Sequence, residues 1–192
     1  MSSSSAPLAV RPYHPSDERG WVRCRVLSFL DTQYYDDVAP RRRVLTDPSI
    51  SLVAVGAHSE VVGILDIEID GSAATIDTIA THPDHQGAGI ATALLHDALP
   101  RLASADVLTL DAWTREDAAA NRWYRRNGFT EQSPYLHVYA HDVDGSDFAT
   151  PDGLSAPVIA FMHGRLEDEV RMRERFRRVY VCRRYVRPVL PA

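Results

Sequence analysis

The sequence predicts a mixed α/β domain with a central, mostly antiparallel sheet flanked by helices. Two β-rich runs, 49–57 and 61–70, are separated by a short polar turn and indicate an antiparallel hairpin. Farther along the chain, amphipathic segments alternate with β-rich runs, as in strands joined by crossover helices. A chain of 192 residues with 45% hydrophobic side chains can build one compact core. We therefore expect a single domain over 8–192, preceded by a disordered N-terminus at 1–7.

The first half of this domain is predicted as a strand, a helix, the hairpin and a further strand. Residues 8–13 (LAVRPY) form the first strand. Apolar side chains recur at helical spacing from Glu18 to Tyr35, which predicts the first helix. After the hairpin, a turn at Asp70-Gly71 leads into a strand from Ala74 to Ala80.

The second half continues with alternating helices and strands. A helix begins at Ile90, and Pro100 is expected to end or kink it after Leu99. Gly128 is placed to end a later helix, because glycine tolerates the left-handed backbone common at that position. The remaining predicted elements are a strand at 106–113, a helix at 115–127 and a strand at 135–141.

The C-terminal part is predicted to be an insertion followed by one last strand. The core covers 8–141, the insertion 142–178 and the final strand 179–186. Within the insertion, 142–157 is rich in Asp, Gly, Ser and Pro and predicts an exposed loop, and a helix follows at 166–178. This insertion could also form the contact of a homodimer.

Composition excludes several classes of protein. The net charge of -5 gives no general attraction for nucleic acid or anionic lipid. The sequence has neither a long apolar run nor a signal-peptide pattern, so we expect a cytoplasmic protein without a membrane segment. Two cysteines are too few to indicate a disulfide framework or a zinc site. His82 and His85 form an H-x-x-H pair without further ligands, so no metal is expected.

The stretch HPDHQGAGIATALL at 82–95 places two glycines where a helix begins. The start of a helix has unpaired backbone N–H groups and a partial positive charge, which suits a phosphate. A nucleoside triphosphate loop requires a lysine, and all 21 basic side chains here are arginines. A dinucleotide loop requires a third glycine, where this sequence has Thr92.

Two motifs resemble those of the GNAT superfamily of acetyl-CoA-dependent N-acetyltransferases. The first is Gln86-x-x-Gly89-x-Ala91, which resembles the pyrophosphate loop of that family. The second is DAAANRWYRRNGF at 117–129, which resembles the family's later helix with its tyrosine and closing Gly-Phe. The resemblance covers about 8–141 and the last strand, and it implies a GNAT-like fold with acetyl-CoA as the acyl donor.

The resemblance also implies catalytic residues. Tyr124 matches the family's general acid, and a phenol with an ordinary pKa of about 10 can protonate a departing thiolate. Asp77 matches a carboxylate that accepts the proton of the amine in many relatives, and Glu68 on the neighbouring strand is the alternative base. A backbone N–H near the end of the strand 76–81 would stabilise the oxyanion.

The donor contacts implied by the resemblance are mainly with the backbone. Ala80 and Thr81 would contact the pantetheine arm. Asp117 stands where the family has an asparagine that contacts the cofactor, and Asn121, one turn later, is the candidate to replace it. The pyrophosphate would bind to the loop and first helical turn, formed by Gln86, Gly87, Ala88, Gly89, Ile90, Ala91 and Thr92.

The acceptor groove of the family implies a binding role for Tyr34, Tyr35, Asp36 and Asp37, whose carboxylates suit a cationic amine. The acceptor would be a small-molecule amine or a peptide amine. Two functions follow from these residues. The first is an N-acetyltransferase that acts on a primary amine by direct attack in a ternary complex. The alternative is a non-catalytic acyl-CoA-binding or regulatory module of the same fold.

Overall fold

A computed structural model describes residues 8–141 and 150–189. Eight strands form one sheet in the order β1-β2-β3-β4-β5-β8-β6-β7. The strands are β1 Ala9–Pro12, β2 Ser49–Val55, β3 Val61–Asp70, β4 Ala73–Thr81, β5 Thr109–Thr114, β6 Thr130–His141, β7 Ile159–Gly164 and β8 Arg178–Pro188. The α-helices are α1 Glu18–Leu30, α2 Ile90–Ser104, α3 Ala118–Arg126 and α4 Glu169–Arg175. The predicted α/β class with a mostly antiparallel sheet and flanking helices is confirmed.

The only parallel neighbours among the eight described strands are β4 and β5, and they pair over a short length. Their ladder ends at Ile76 opposite Ala112, whereas the ladder between β3 and β4 continues to Thr81. Asp77 is the extra residue of a β-bulge at this point, since Asp66 pairs with Thr78 and the next residue of β3 pairs with Ile76. A bulge bends its strand. The sheet is therefore open between the C-terminal ends of β4 and β5.

Helices cover the two faces of the sheet unequally. On one face, which we call the α1 face, Trp21 and Cys24 of α1 pack on Val53 and Ile64. On the opposite face α2 and α3 build the largest core cluster, to which Leu102 contributes a fully buried side chain. This burial explains why α2 continues through Pro100 to Ser104, because the apolar contact of its last turn offsets the backbone hydrogen bond that proline cannot donate.

The insertion adds a strand to the sheet edge and a helix to the same face as α3. Met172 and Phe176, in α4 and at its end, pack on Leu136, Val138 and Val181 of β6 and β8. The strand β7 extends the sheet by pairing with β6 from Leu136–Gly164 to His141–Ile159. Alternate residues of β6 and β7 are thus buried under α4, and those between them point to the α1 face.

Several predicted boundaries were wrong. The first helix ends at Leu30 rather than Tyr35, because the Thr32 hydroxyl bonds the Phe29 carbonyl and the Tyr34 N–H and so closes the helix end. The strand β6 begins at Thr130 rather than 135, and β7 was not predicted. The predicted helix 166–178 is a 3-10 turn followed by α4. Residues 1–7 and the first half of the predicted loop 142–157, residues 142–149, lie outside the described residues.

No helix in 8–141 or 150–189 is long and apolar enough to cross a membrane.

Candidate functional site

The loop before α2 exposes its backbone in the way that the sequence predicts. Gly87 and Gly89 both have φ of +78°, a left-handed conformation that side chains other than glycine rarely adopt. No atom lies within 4 Å of the Cβ position at either residue, so the space beside this loop is open. Gly89 is also the N-cap of α2, whose first turn has free N–H groups. The loop from Gln86 to Thr92 therefore has the shape and the polarity of an anion site.

The two sequence motifs are in direct contact. The indole Nε1–H of Trp123 donates to the Thr92 hydroxyl at 3.0 Å, which ties α3 to the first turn of α2. The residues predicted for the pantetheine arm lie at the open end of β4. There Ala80 is buried against α1, and the Thr81 carbonyl accepts a hydrogen bond of 2.8 Å from Ser28.

Tyr124 is buried behind this opening. Its ring stacks on Tyr185 with centroids 5.1 Å apart and meets Phe129 edge-on at 5.2 Å. Burial raises the pKa of the Tyr124 phenol, and the nearby phenols of Tyr34 and Tyr185 raise that pKa further. The Tyr124 phenol is therefore protonated at neutral pH and is a weaker acid than an exposed tyrosine.

Asp117 and Asn121 have structural roles in α3. The Asp117 carboxylate caps the helix by accepting from the Ala120 N–H at 2.7 Å. The Asn121 amide donates to the carbonyls of Arg115 and Asp117 at 2.7 and 2.6 Å and accepts from the Tyr185 hydroxyl at 2.8 Å. Both amide hydrogens of Asn121 are thus used inside the protein. A cofactor contact from either residue stays a prediction.

The two candidate bases, Asp77 and Glu68, lie together on the α1 face at the sheet opening. One guanidinium, that of Arg43, bonds both carboxylates, with a distance of 2.8 Å to Asp77. The Arg43 side chain is 60% exposed. The structure brings the two carboxylates together without distinguishing which of them acts as the base.

The residues predicted for the acceptor form a turn after α1, and most of their polar groups have internal partners. The Tyr34 hydroxyl accepts from the Arg115 backbone N–H at 3.1 Å, and burial raises the pKa of Tyr34 to about 12. Asp36 pairs with Arg178, whose guanidinium also lies over the Tyr35 ring. Asp37 pairs with Arg25 at 2.8 Å. These ion pairs leave less negative charge for a cationic amine than the sequence suggests.

Sequence reasoning did not single out Arg115 and His137, which connect this turn to β6. The Arg115 guanidinium donates to the Gln33 carbonyl, to the Tyr139 hydroxyl at 2.5 Å and to His137 Nδ1 at 3.2 Å. Since Nδ1 accepts this bond, His137 is neutral and its Nε2–H can donate to the Tyr135 hydroxyl at 3.0 Å. Burial, followed by the charge of Arg115 and by His163, lowers the pKa of His137 to about 4.

Stability should fall in acid because of His137. Its pKa is lowered from 6.5 to about 4 on folding, so the unfolded chain binds the proton more strongly. The stabilisation is therefore complete above pH 6.5 and is lost as the pH falls toward 4, by about 2–3 kcal/mol. Urea unfolding at pH 7 and pH 4.5 would measure this loss, and His137→Gln should reduce it. An unchanged pH dependence in His137→Gln would contradict this role of the imidazole, and the exposed His96→Gln serves as the control.

The rings of His82 and His85 meet edge-on with centroids 5.7 Å apart, away from the Asp77 and Glu68 carboxylates. Within the described part of the chain no group of three or more His, Cys, Asp or Glu side chains is arranged to hold a metal ion.

Comparisons with known proteins find one matching family model and several solved structures with a similar fold. Residues 47–131 match the family model of the acetyltransferase (GNAT) domain. The fold is similar to the ribosomal-protein-S18-alanine N-acetyltransferase of Escherichia coli, with a TM-score of 0.62, 16% identity and coverage of 97% of this chain and 96% of the other. It is also similar to a GNAT-family acetyltransferase of Staphylococcus aureus, with a TM-score of 0.59, 14% identity and coverage of 96% and 100%.

A third similar structure is the PaiA N-acetyltransferase of Thermoplasma acidophilum in complex with coenzyme A, with a TM-score of 0.56, 13% identity and coverage of 83% of this chain and 99% of the other. A comparison with curated protein sequences finds no match.

The fold is that of the GNAT acyl-CoA N-acyltransferases. The predicted resemblance to the GNAT superfamily is confirmed, with the family model matching residues 47–131 and the fold matching solved GNAT acetyltransferases.

Proposed function

We propose that the protein transfers the acetyl group of acetyl-CoA to a primary amine, with both substrates bound together in the single domain 8–192. The observation that carries the proposal is the opening between β4 and β5 beside the glycine loop. A donor whose pyrophosphate binds at 86–92 can extend its thioester arm along the open end of β4, near Ala80 and Thr81. Acetyl-CoA rather than a longer acyl-CoA is the donor named by the family resemblance.

The chemistry assigned to the site needs three groups. The amine forms a bond with the thioester carbon, and a backbone N–H at the end of β4 stabilises the oxyanion. One of the two carboxylates that Arg43 bridges, Asp77 or Glu68, takes a proton from the amine. The carbon–sulfur bond then breaks, and Tyr124 gives its phenolic proton to the departing thiolate. The Tyr124 phenol starts the reaction protonated, as this assignment requires, since even an ordinary phenol has a pKa of about 10.

Replacing Gly89 with valine should weaken coenzyme A binding by about tenfold or more, because a β-branched residue is strained at φ of +78° and fills the open space of the loop. Isothermal titration calorimetry with coenzyme A measures the effect. Gly71→Val is the matched control, since Gly71 also has a positive φ and open surroundings but lies in the turn between β3 and β4. Equal affinity in Gly89→Val and wild type would disprove the donor site.

Thiol release from acetyl-CoA, measured across a panel of primary amines, tests the activity itself. Turnover with at least one amine supports the enzyme. Binding of acetyl-CoA without turnover on any amine would favour a non-catalytic acyl-CoA-binding module of the same fold.

A further inference from the structure

Five side chains form a connected aromatic surface on the α1 face of the sheet, which we call the aromatic wall. Its ring centroids are 5.4 Å apart between Trp113 and Tyr135, 4.7 Å between Tyr135 and His163, and 4.9 Å between His137 and Phe161. Trp113 is 41% exposed and Phe161 is 49% exposed. The wall therefore presents ring surface to the solvent.

The sheet register explains why these rings share one face. His137 pairs with His163 and Tyr139 pairs with Phe161, so the odd-numbered residues of β6 and β7 point the same way. The intervening residues, such as Val138 and Met162, pack under α4 on the opposite face. Trp113 and Phe161 belong to none of the three core clusters, and their exposed rings form a candidate binding surface.

The wall begins at the carboxylates of the proposed acetyl-transfer site. Ile76 and Ala112 are the last pair of β4 and β5, so Asp77 and Trp113 are the first residues beyond that pair, where the strands separate. On the same face, Thr75 bonds Asp111 at 2.6 Å, and the Arg184 partner of Asp111 lies over the Trp113 ring at 5.8 Å.

The charges at this end of the wall favour a cation. Asp77 and Glu68 supply two carboxylates, and Arg43 supplies one guanidinium to both. The Asp111–Arg184 pair is neutral as a unit, so the cluster has one excess negative charge. Arg43 also demonstrates that a cation fits between Asp77 and Glu68, and its 60% exposure leaves it free to move into solvent when another cation arrives.

We propose that the acceptor is a small cationic amine that carries an aromatic ring. Its ammonium group lies between Asp77 and Glu68 in place of Arg43, and its ring lies against Trp113 and Tyr135. Ammonium groups bind carboxylates and the faces of aromatic rings, and a planar ring gains further from stacking on the wall. This inference rests on the proposed function, because it names the acceptor of the same reaction.

A set of three amines tests the inference: 2-phenylethylamine, n-butylamine, which lacks the ring, and phenylalanine, which adds a carboxylate. We expect kcat/KM for 2-phenylethylamine to exceed that for n-butylamine by about tenfold or more. Trp113→Ala should remove this advantage and weaken the binding of 2-phenylethylamine, measured by calorimetry without donor, whereas Trp113→Phe should retain both. Val170→Ala, an exposed apolar change on α4, is the control.

Arg43→Ala gives an independent test of the cation position. If Arg43 occupies the place of the ammonium group, its removal should tighten the binding of 2-phenylethylamine by roughly two- to fivefold. Weaker binding of 2-phenylethylamine in Arg43→Ala would overturn the inference. So would a preference of the wild type for phenylalanine that disappears in Arg43→Ala, because it would indicate an acceptor whose carboxylate binds Arg43.

Different results would overturn the proposed acetyl transfer and the proposed aromatic acceptor. Turnover on amines with no preference for the aromatic ring would overturn only the acceptor assignment. Absence of thiol release with every amine would overturn the proposed activity, while binding of 2-phenylethylamine that depends on Trp113 would still support the site.

Discussion

Tyr124→Phe is expected to lower kcat by about 10²–10⁴ while leaving the affinity for coenzyme A within about twofold of wild type. The reason is that the substitution removes only the proton that the thiolate needs and keeps the ring that packs on Tyr185 and Phe129. Stopped-flow or steady-state thiol release with a saturating amine measures kcat, and calorimetry measures donor affinity.

Tyr185→Phe is the matched control for this prediction. Its ring stacks on Tyr124 and its hydroxyl bonds Asn121 at 2.8 Å, so the variant also loses one buried phenol hydroxyl beside α3. We expect its kcat to change by less than about tenfold. If Tyr185→Phe and Tyr124→Phe lost activity equally, the effect would come from packing, and the role of Tyr124 as the acid would be disproved.

Arg42→Ala is expected to lower the free energy of unfolding by about 3–5 kcal/mol, because it leaves a buried carboxylate without its partner. Asp66 is 1% exposed and accepts two bonds from Arg42, at 2.8 and 2.9 Å. Burial raises the pKa of Asp66 even with Arg42 in place, so part of the cost appears as proton uptake. Arg42 also covers the Tyr13 ring at 4.2 Å, and this packing is lost as well.

Urea denaturation monitored by tryptophan fluorescence would measure the loss, and the adjacent arginine provides the comparison. Arg43 pairs with Glu68 and Asp77 but is largely exposed, so Arg43→Ala should cost no more than about 1 kcal/mol. If the two variants lost similar amounts of unfolding free energy, the buried pair of Arg42 and Asp66 would contribute no more to stability than an exposed pair. A double variant, Arg42→Met with Asp66→Leu, should recover much of the lost stability.

The elements that sequence reasoning predicted well are those with local signals. The strand β3 has its predicted bounds, α2 begins at the predicted Ile90, and Gly128 has the left-handed conformation expected after a helix. Each depends on a nearby pattern: an alternation of side chains, a glycine pair at a helix start, or one residue with a positive φ. The glycine loop was recognisable for the same reason, since its backbone chemistry is contained in seven consecutive residues.

The features that were missed depend on partners far along the chain. Nothing near Pro100 shows that Leu102 will be fully buried, and that burial carries α2 through the proline. The strand β7 was missed because its exposed face carries Phe161 and His163 rather than a simple polar alternation. The ion pair between Asp36 and Arg178 joins residues 142 positions apart. Such a pair changes the charge of a predicted site, and only the tertiary structure reveals it.

Because β8 comes last in sequence among the described strands and yet lies between β5 and β6, the sheet is completed only when residues 178–188 are available. The strands from β1 to β5 form one half of the sheet, and β6 pairs with β7 in the other half. During synthesis, at about 5–20 residues per second, the edges of β5 and β6 stay unpaired until β8 is made, and such edges can pair with other chains. The joining of the two halves is therefore a late, long-range step, which requires residues 178–188 to have emerged from the ribosome.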